Sequence, residues 1–318
     1  MDSLPEPKPK KRRLRRLARW VGAPLLVGAL GVFSYACASR RALEREIAST
    51  PRDPRTGVCI GAEAIDIDPP AGADRPTTAV LFLHGFVGSR RDFADVGERL
   101  AAQGYHVRMA RLPGHGTTPR DFAAQTPDTM LAGARAELDA LRKDYPSVYV
   151  AGFSMGGALG TILASEGGVD RLVLVSPYYG VTYRWFYILP AETWNAMLGW
   201  AIPYVIKSAM FVQVNRPEAR KEIFSYHAVP TRGAGTLMAL GRRARRPETL
   251  AAVKCPVLMV FTDGDLASSP AQGRRAFKLL GSADKTAVWI DPRNNHHLMW
   301  DYDCEKAKGA VVSFMTKP

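Results

Sequence analysis

Residues 148–160, VYVAGFSMGGALG, decide how this chain is read. Val148 to Ala151 has the β-branched and aromatic make-up of a strand. Small residues then allow a tight turn, and from Met155 onward the apolar residues recur at helical spacing. A G-x-S-x-G motif placed between a strand and a helix is a nucleophile elbow. Its serine, here Ser154, sits on a strained turn with its hydroxyl projecting, while Gly152 and Gly156 let neighbouring backbone pass close by.

A serine hydroxyl is a weak nucleophile at neutral pH, so it needs a base, an acid to hold that base, and donors for the oxyanion that forms on the substrate. The amide after the nucleophile, Met155, is one expected donor. The second is expected in His84-Gly85-Phe86-Val87-Gly88, the loop after the strand that ends at Leu83, with Phe86 placed to offer its N–H. His84 precedes the serine, against the chain order serine, acid, histidine that accompanies such an elbow, so it is expected to brace the loop. The acid is expected after the strand Val257 to Phe261, in Thr262-Asp263-Gly264-Asp265. Pro270 lies five residues beyond Asp265, an arrangement common in relatives that carry such an elbow, which favours Asp265, while Asp263, beside a glycine, has the character of a turn former and stays the alternative. The base is expected after the strand Ala287 to Ile290, in Asn294-Asn295-His296-His297. His296 is preferred, five residues before Asp301 and eighteen before Phe314, and His297 is the alternative. His115, in Gly114-His115-Gly116 after the strand His106–Ala110, is left out of the catalytic set.

Working outward, short apolar runs alternate with helix-period segments. Strands are expected at Cys59–Ile67, Ala79–Leu83, His106–Ala110, Val148–Ala151, Leu172–Ser176, Val257–Phe261 and Ala287–Ile290. Helices are expected at Asp92–Gln103, Thr129–Asp144, Met155–Ser165, Ala271–Leu280 and Glu305–Met315. The alternation predicts an α/β fold with a mostly parallel central sheet and helices on both faces. It fails between about 177 and 254, too long for an ordinary crossover. That stretch is rich in aromatics (Trp185, Phe186, Tyr187, Trp194 and Trp200 among them) and reads as a helical cap inserted over the site, with part of its aromatic content filling the cap's own core.

HGFVGSRRDF, RLPGHGTTPRDF, VAGFSMGGALG and the FTDGD and NNHH turns together resemble the bacterial carboxylesterase and monoacylglycerol lipase group of α/β-hydrolases, from about Val80 to Met315. The resemblance implies hydrolysis of short to medium acyl esters or monoacylglycerols without metal or organic cofactor. It implies a triad at Ser154, Asp265 and His296, with oxyanion donors at Phe86 and Met155. This chain departs from the group in carrying Asn294-Asn295 before the final histidine and in a basic N-terminal extension. Because fold and triad alone do not select the acyl acceptor, an acyltransferase or a peptidase on the same triad is the alternative enzyme. A membrane-anchored binding module without catalysis is the alternative outside enzymes.

The formal charge of +13 is partly local, since residues 1–20 hold Lys8, Lys10, Lys11, Arg12, Arg13, Arg15, Arg16 and Arg19 against Asp2 and Glu6. No nucleic-acid-binding motif accompanies this run, so no nucleic-acid partner is expected. Residues 21–38, VGAPLLVGALGVFSYACA, form an uncharged stretch that as a helix would span roughly 27 Å, close to the hydrocarbon thickness of a bilayer. With basic residues concentrated before it, the positive-inside rule predicts a cytoplasmic N-terminus and a catalytic domain across the inner membrane. A lipoprotein processed at Cys37 and a cleaved signal peptide are the alternatives. Residues 39–56 are expected to be a linker and residues 57–318 the α/β-hydrolase domain. Cys59, Cys255 and Cys304 lack the paired spacing of a metal site and read as buried thiols, with a disulfide left open.

Overall fold

The computed structural model describes residues 18–183, 188–207 and 213–317. The basic run over residues 8–16 and the cap aromatics Trp185, Phe186 and Tyr187 therefore lie outside the described residues. The strands are β1 (Ile65–Ile67), β2 (Thr78–Leu83), β3 (His106–Met109), β4 (Ser147–Phe153), β5 (Arg171–Val175), β6 (Tyr204–Ile206), β7 (Ala228–Pro230), β8 (Val257–Thr262) and β9 (Lys285–Ile290). Seven of them form one sheet in the order β1-β3-β2-β4-β5-β8-β9, parallel except for β1. β2 and β8 are buried almost throughout, as expected of parallel strands covered on both faces. Successive side chains divide between two cores. Leu81, Leu83, Val150 and Leu174 face one, while Phe82, Ala151, Val173 and Val175 face the other.

The helices are α1 (Ala23–Ser49), α2 (Val96–Ala101), α3 (Pro119–Ala123), α4 (Pro127–Asp144), α5 (Met155–Glu166), α6 (Ala191–Leu198), α7 (Thr231–Ala244), α8 (Pro247–Ala252), α9 (Pro270–Leu279) and α10 (Cys304–Met315). α5 is buried from Met155 through Ala164, which explains why it lacks a polar face: it runs against β4 and β5 beneath α7. The second core is closed by α2 and α10.

Four expectations need correction. The strand expected over Cys59–Ile67 is confined to Ile65–Ile67. Cys59 instead makes an isolated bridge to Arg52, and its N–H donates to Gly116 O at 2.7 Å. The helix expected over Asp92–Gln103 is interrupted: Ser89 caps a 3-10 turn at Arg90–Phe93, Ala94 takes φ +51°, and α2 begins only at Val96. The inserted cap is not purely helical. Between α6 and α7 it contains the antiparallel pair β6–β7, with Val205 opposite Val229. Among the described cap aromatics Trp200 is 85% exposed.

The fourth correction concerns the linker expected over residues 39–56. α1 continues without a break to Ser49, with Ser39 and Leu43 buried. Its N-terminal half, including Leu25, Leu26, Val27, Leu30 and Phe33, is exposed and apolar, and residues Trp20–Ser49 are long and apolar enough to cross a membrane by length and composition. Its C-terminal half docks on the β6–β7 pair of the cap. The Tyr35 hydroxyl accepts from Ile206 N–H at 3.1 Å, and the Glu46 carboxylate accepts from His227 N–H at 2.8 Å and Ala228 N–H at 2.7 Å. Glu44 pairs with Arg120 at the start of α3. The segment read as a tether is therefore part of the cap's support.

A hydrogen bond to a charged acceptor contributes roughly 1.5–3 kcal/mol, so removing the acceptor of two cap amides has a measurable cost. Glu46→Ala should destabilise the protein by roughly 2 kcal/mol, against less than about 0.5 kcal/mol for Glu44→Ala, whose ion pair is exposed. Urea unfolding midpoints of the full-length variants check this. Equal effects would contradict a specific clamp at Glu46.

Candidate active site

Ser154 caps the N-terminus of α5 with φ +52° and ψ −113°, a conformation that side chains rarely adopt. Two close approaches fix the turn. A Cβ on Gly156 would lie 1.8 Å from Leu83 O, and one on Gly152 would lie 2.3 Å from Gly156 O, so neither position accepts a larger residue without moving backbone. Ser154 N–H donates to Val175 O at 3.0 Å, tying the elbow to the end of β5.

His296 Nε2 lies 2.8 Å from Ser154 Oγ, and His296 Nδ1 lies 2.7 Å from Asp265 Oδ2. All three residues are buried. The second oxygen of Asp265 accepts from Ala267 N–H at 2.8 Å and Ser268 N–H at 2.7 Å, which fixes the carboxylate after β8. The alternatives stand elsewhere. Asp263 is exposed and paired with Arg274. His297 is buried beside Asp92, its Nδ1 3.7 Å from Asp92 Oδ1, and it hydrogen-bonds neither Ser154 nor Asp265.

The loop that carries Phe86 is held from both sides. Gly85 N–H donates to Asp92 Oδ2 at 2.8 Å, Val87 N–H donates to His115 Nε2 at 3.2 Å, and Val87 O accepts from Tyr226 N–H at 3.1 Å. His84 and His115 serve this bracing. Leu112 N–H donates to His84 Nε2 at 3.1 Å, leaving Nδ1–H to donate to Gly85 O at 2.9 Å. Burial lowers the His84 pKa to about 4 and holds His115 well below the ordinary imidazole value, so both are neutral near pH 7. Phe86 thus lies in a hydrogen-bonded loop that lines the same cavity as Ser154, and Met155 begins α5.

Residues outside the motifs complete the arrangement. Asn295 Oδ1 accepts from His296 N–H at 2.8 Å and Leu266 N–H at 3.1 Å, linking the base-bearing loop to the acid-bearing loop. The buried Asp301 carboxylate accepts from the N–H groups of Asn295, Asn215 and Arg216 within 3.0 Å. Asp92 and Asp301 look like ordinary surface acids in the sequence. The available signal was the unusual Asn294-Asn295 pair directly before His296.

Ser154 and His296 open on a cavity of about 650 Å³ walled by Trp194, Leu198, Ile202, Val229, Leu237 and Met238 from the cap. Lys207 also faces it, and among the described lining residues there is no carboxylate. Among the described residues no group of acidic, histidine or cysteine side chains could hold a metal ion, and the four cysteines are free thiols.

Residues 74–303 match a protein family described as serine aminopeptidase, S33. The chain is 28% identical over 236 residues to a thermostable monoacylglycerol lipase from Bacillus sp. (strain H-257), covering 74% of this chain and 88% of that protein. A structure reported for LipS and LipT, two metagenome-derived lipolytic enzymes, superimposes with a TM-score of 0.72 at 25% identity, over 82% of this chain and all of the other. The monoacylglycerol lipase of Paleococcus ferrophilus gives a TM-score of 0.67 at 18% identity, over 80% and 97% of the two chains, a likeness of fold.

Burial raises the Asp92 pKa to about 7, against roughly 3.9 for the unfolded side chain. Between those values the folded protein holds a proton that the unfolded chain has released, so this group's contribution to stability falls as pH rises from about 4 through 7. Asp92→Asn keeps an oxygen for Gly85 N–H and does not titrate. Its melting temperature relative to the parent should therefore rise by at least roughly 3 °C between pH 5 and pH 8, where a pH-independent difference would contradict the assignment.

Proposed function

Because this chain belongs to the α/β-hydrolase family described as serine aminopeptidase, S33, we propose that it is a serine hydrolase cleaving carboxylic esters of single acyl chains, monoacylglycerols among them. The observation that carries the reading is the continuous relay from Ser154 through His296 to Asp265 on the wall of a cap-covered apolar cavity.

In this reading His296 Nε2 accepts the Ser154 proton as Oγ attacks the ester carbonyl, and Asp265 holds the imidazole through Nδ1–H. The amides of Phe86 and Met155 donate to the oxyanion, whose charge they stabilise without reorganisation. Collapse of the tetrahedral intermediate breaks the bond to the alcohol oxygen, which takes the proton from His296. Water, deprotonated by the same nitrogen, then releases the acid and restores Ser154. No step needs a metal or organic cofactor.

The family description also raises peptide substrates. An aminopeptidase must recognise a free ammonium, which calls for an acidic group near the scissile bond. The described cavity wall supplies Lys207 and no carboxylate, which favours an ester. The relatives named as monoacylglycerol lipases support a lipid ester. In the same reading residues 21–38 anchor the chain, with its N-terminus cytoplasmic and the hydrolase domain across the inner membrane, and processing at Cys37 is the alternative form of attachment.

Ser154→Ala and His296→Ala should each lower kcat by at least about 10³-fold in a folded protein, with His297→Ala far less affected. Steady-state kinetics with circular dichroism decides this. A dead His297→Ala beside a nearly normal His296→Ala would reverse the assignment.

Each methylene moved from water into an apolar cavity contributes roughly 0.8 kcal/mol. Four more methylenes, from acetate to hexanoate esters, should raise kcat/KM by about two orders of magnitude where the gain persists into the transition state. A maximum at acetate, measured below the aggregation limits, would reject the acyl cavity.

A further inference from the structure

Lys207 and Ser225 face two cavities at once. One is the apolar cavity that contains Ser154. The other is a cleft of about 370 Å³ lined in addition by Arg220, Lys221, Ile223, Tyr226 and His227. No carboxylate lines this cleft among the described residues. The nearby acids are already engaged: Glu222 pairs with Arg91 at 3.0 Å, Glu218 lies 3.9 Å from Arg216, and Glu46 accepts from His227 and Ala228 N–H. Arg220 and Lys221 make no ion pair with any described residue.

Lys207 is the less ordinary cation. Its Nζ donates to Ser225 Oγ at 3.0 Å, and it has no carboxylate within salt-bridge distance among the described residues. Burial lowers its pKa to about 8, partly offset by the more distant charge of Asp92. Holding an ammonium group in such surroundings is unfavourable unless an anion shares the site. An exposed arginine and lysine alone would read as solvated charge. Their meeting with a largely buried lysine, at a junction with the acyl cavity, gives the pair of cavities an apolar end and a cationic end.

We infer that the cleft lined by Lys207, Arg220 and Lys221 is a headgroup subsite for an anionic phosphate carried on the alcohol side of the substrate, while the acyl chain occupies the apolar cavity. The substrate class is then a monoacyl glycerophosphate or its phosphodiester. Water cleaves its acyl ester bond to give the fatty acid and the glycerophosphate, with Ser154 and His296 acting as described above. This deepens the ester-hydrolase reading and rests on it for the identity of the acyl cavity. Arg220, with several donors in a fixed fork, and two ammonium groups suit phosphate oxygens. A neutral glycerol headgroup would leave the largely buried Lys207 ammonium without a counterion.

The test separates binding from turnover. Non-hydrolysable 1-O-hexylglycerol 3-phosphate and its neutral counterpart 1-O-hexylglycerol would be titrated against the full-length protein in phosphatidylcholine nanodiscs, with empty nanodiscs subtracted. The phosphate ligand should bind at least about tenfold more tightly, an advantage that falls to within about twofold in Arg220→Gln/Lys221→Gln and in Lys207→Met. Equal affinities in the parent protein, or an advantage that survives both variants, would overturn the inference. Inorganic phosphate that competes as strongly as the lipid analogue would also overturn it, because the cleft would then be an ion site independent of the acyl chain. These outcomes need no catalysis, so they remain readable if no ester is turned over, a result that would count against the proposed function instead.

Discussion

The backbone at Ser154 is the constraint on which the rest of the site depends. Its positive φ turns the serine out of the line of β4, and the turn closes only because Gly152 and Gly156 have no Cβ to meet the neighbouring carbonyls. Once the turn is closed, Oγ is set within reach of His296, and the Met155 amide begins a buried helix beside it. Strain of this kind costs on the order of 1–3 kcal/mol and persists only where surrounding packing over-determines it. Here β2 and β5 on either side, with α5 buried beneath, supply that packing.

A second level of order surrounds the relay. Asn295 and Asp301 bind together the loops after β8 and β9 and the returning cap segment at Asn215 and Arg216. Asp92, His84 and His115 hold the loop that carries Phe86. These side chains touch no reacting atom in the proposed mechanism and act as positioning residues. The cap joins the first network through Asn215 and Arg216 and the second through Tyr226, whose N–H and hydroxyl donate to the Val87 and Gly114 carbonyls. α1 supports the cap in turn at Glu46 and Tyr35, so an apolar helix that is exposed over its first half continues into a support for the cap strands.

The alternating strands and helices and the elbow were legible because they rest on local pattern: apolar runs of strand length, helical spacing after Met155, and glycines flanking Ser154. The turns that carry Asp265 and His296 were legible because each directly follows a strand, but Asp263 and His297 share those turns, and only the folded chain separates the members of each pair. What local pattern hides is long-range docking. Glu44, Glu46 and Arg45 read as a mixed solvated charge run after an apolar span, and only the folded chain shows Glu46 accepting from amides some 180 positions away in sequence. The first strand was drawn too long because Cys59 to Ile67 is apolar enough to extend, yet Cys59 is committed to Gly116 and Arg52. The antiparallel pair in the cap escaped notice because three residues per strand fall below the length at which alternation is visible.

The central claim is that the strained Ser154 is an activated nucleophile. The most direct measurement is peptide mapping by mass spectrometry after the folded, full-length protein reacts with a fluorophosphonate. The account predicts a near-stoichiometric adduct on the peptide that contains Ser154, absent from Ser154→Ala and strongly slowed in His296→Ala. An unlabelled folded protein, or an adduct that persists in Ser154→Ala, would contradict it.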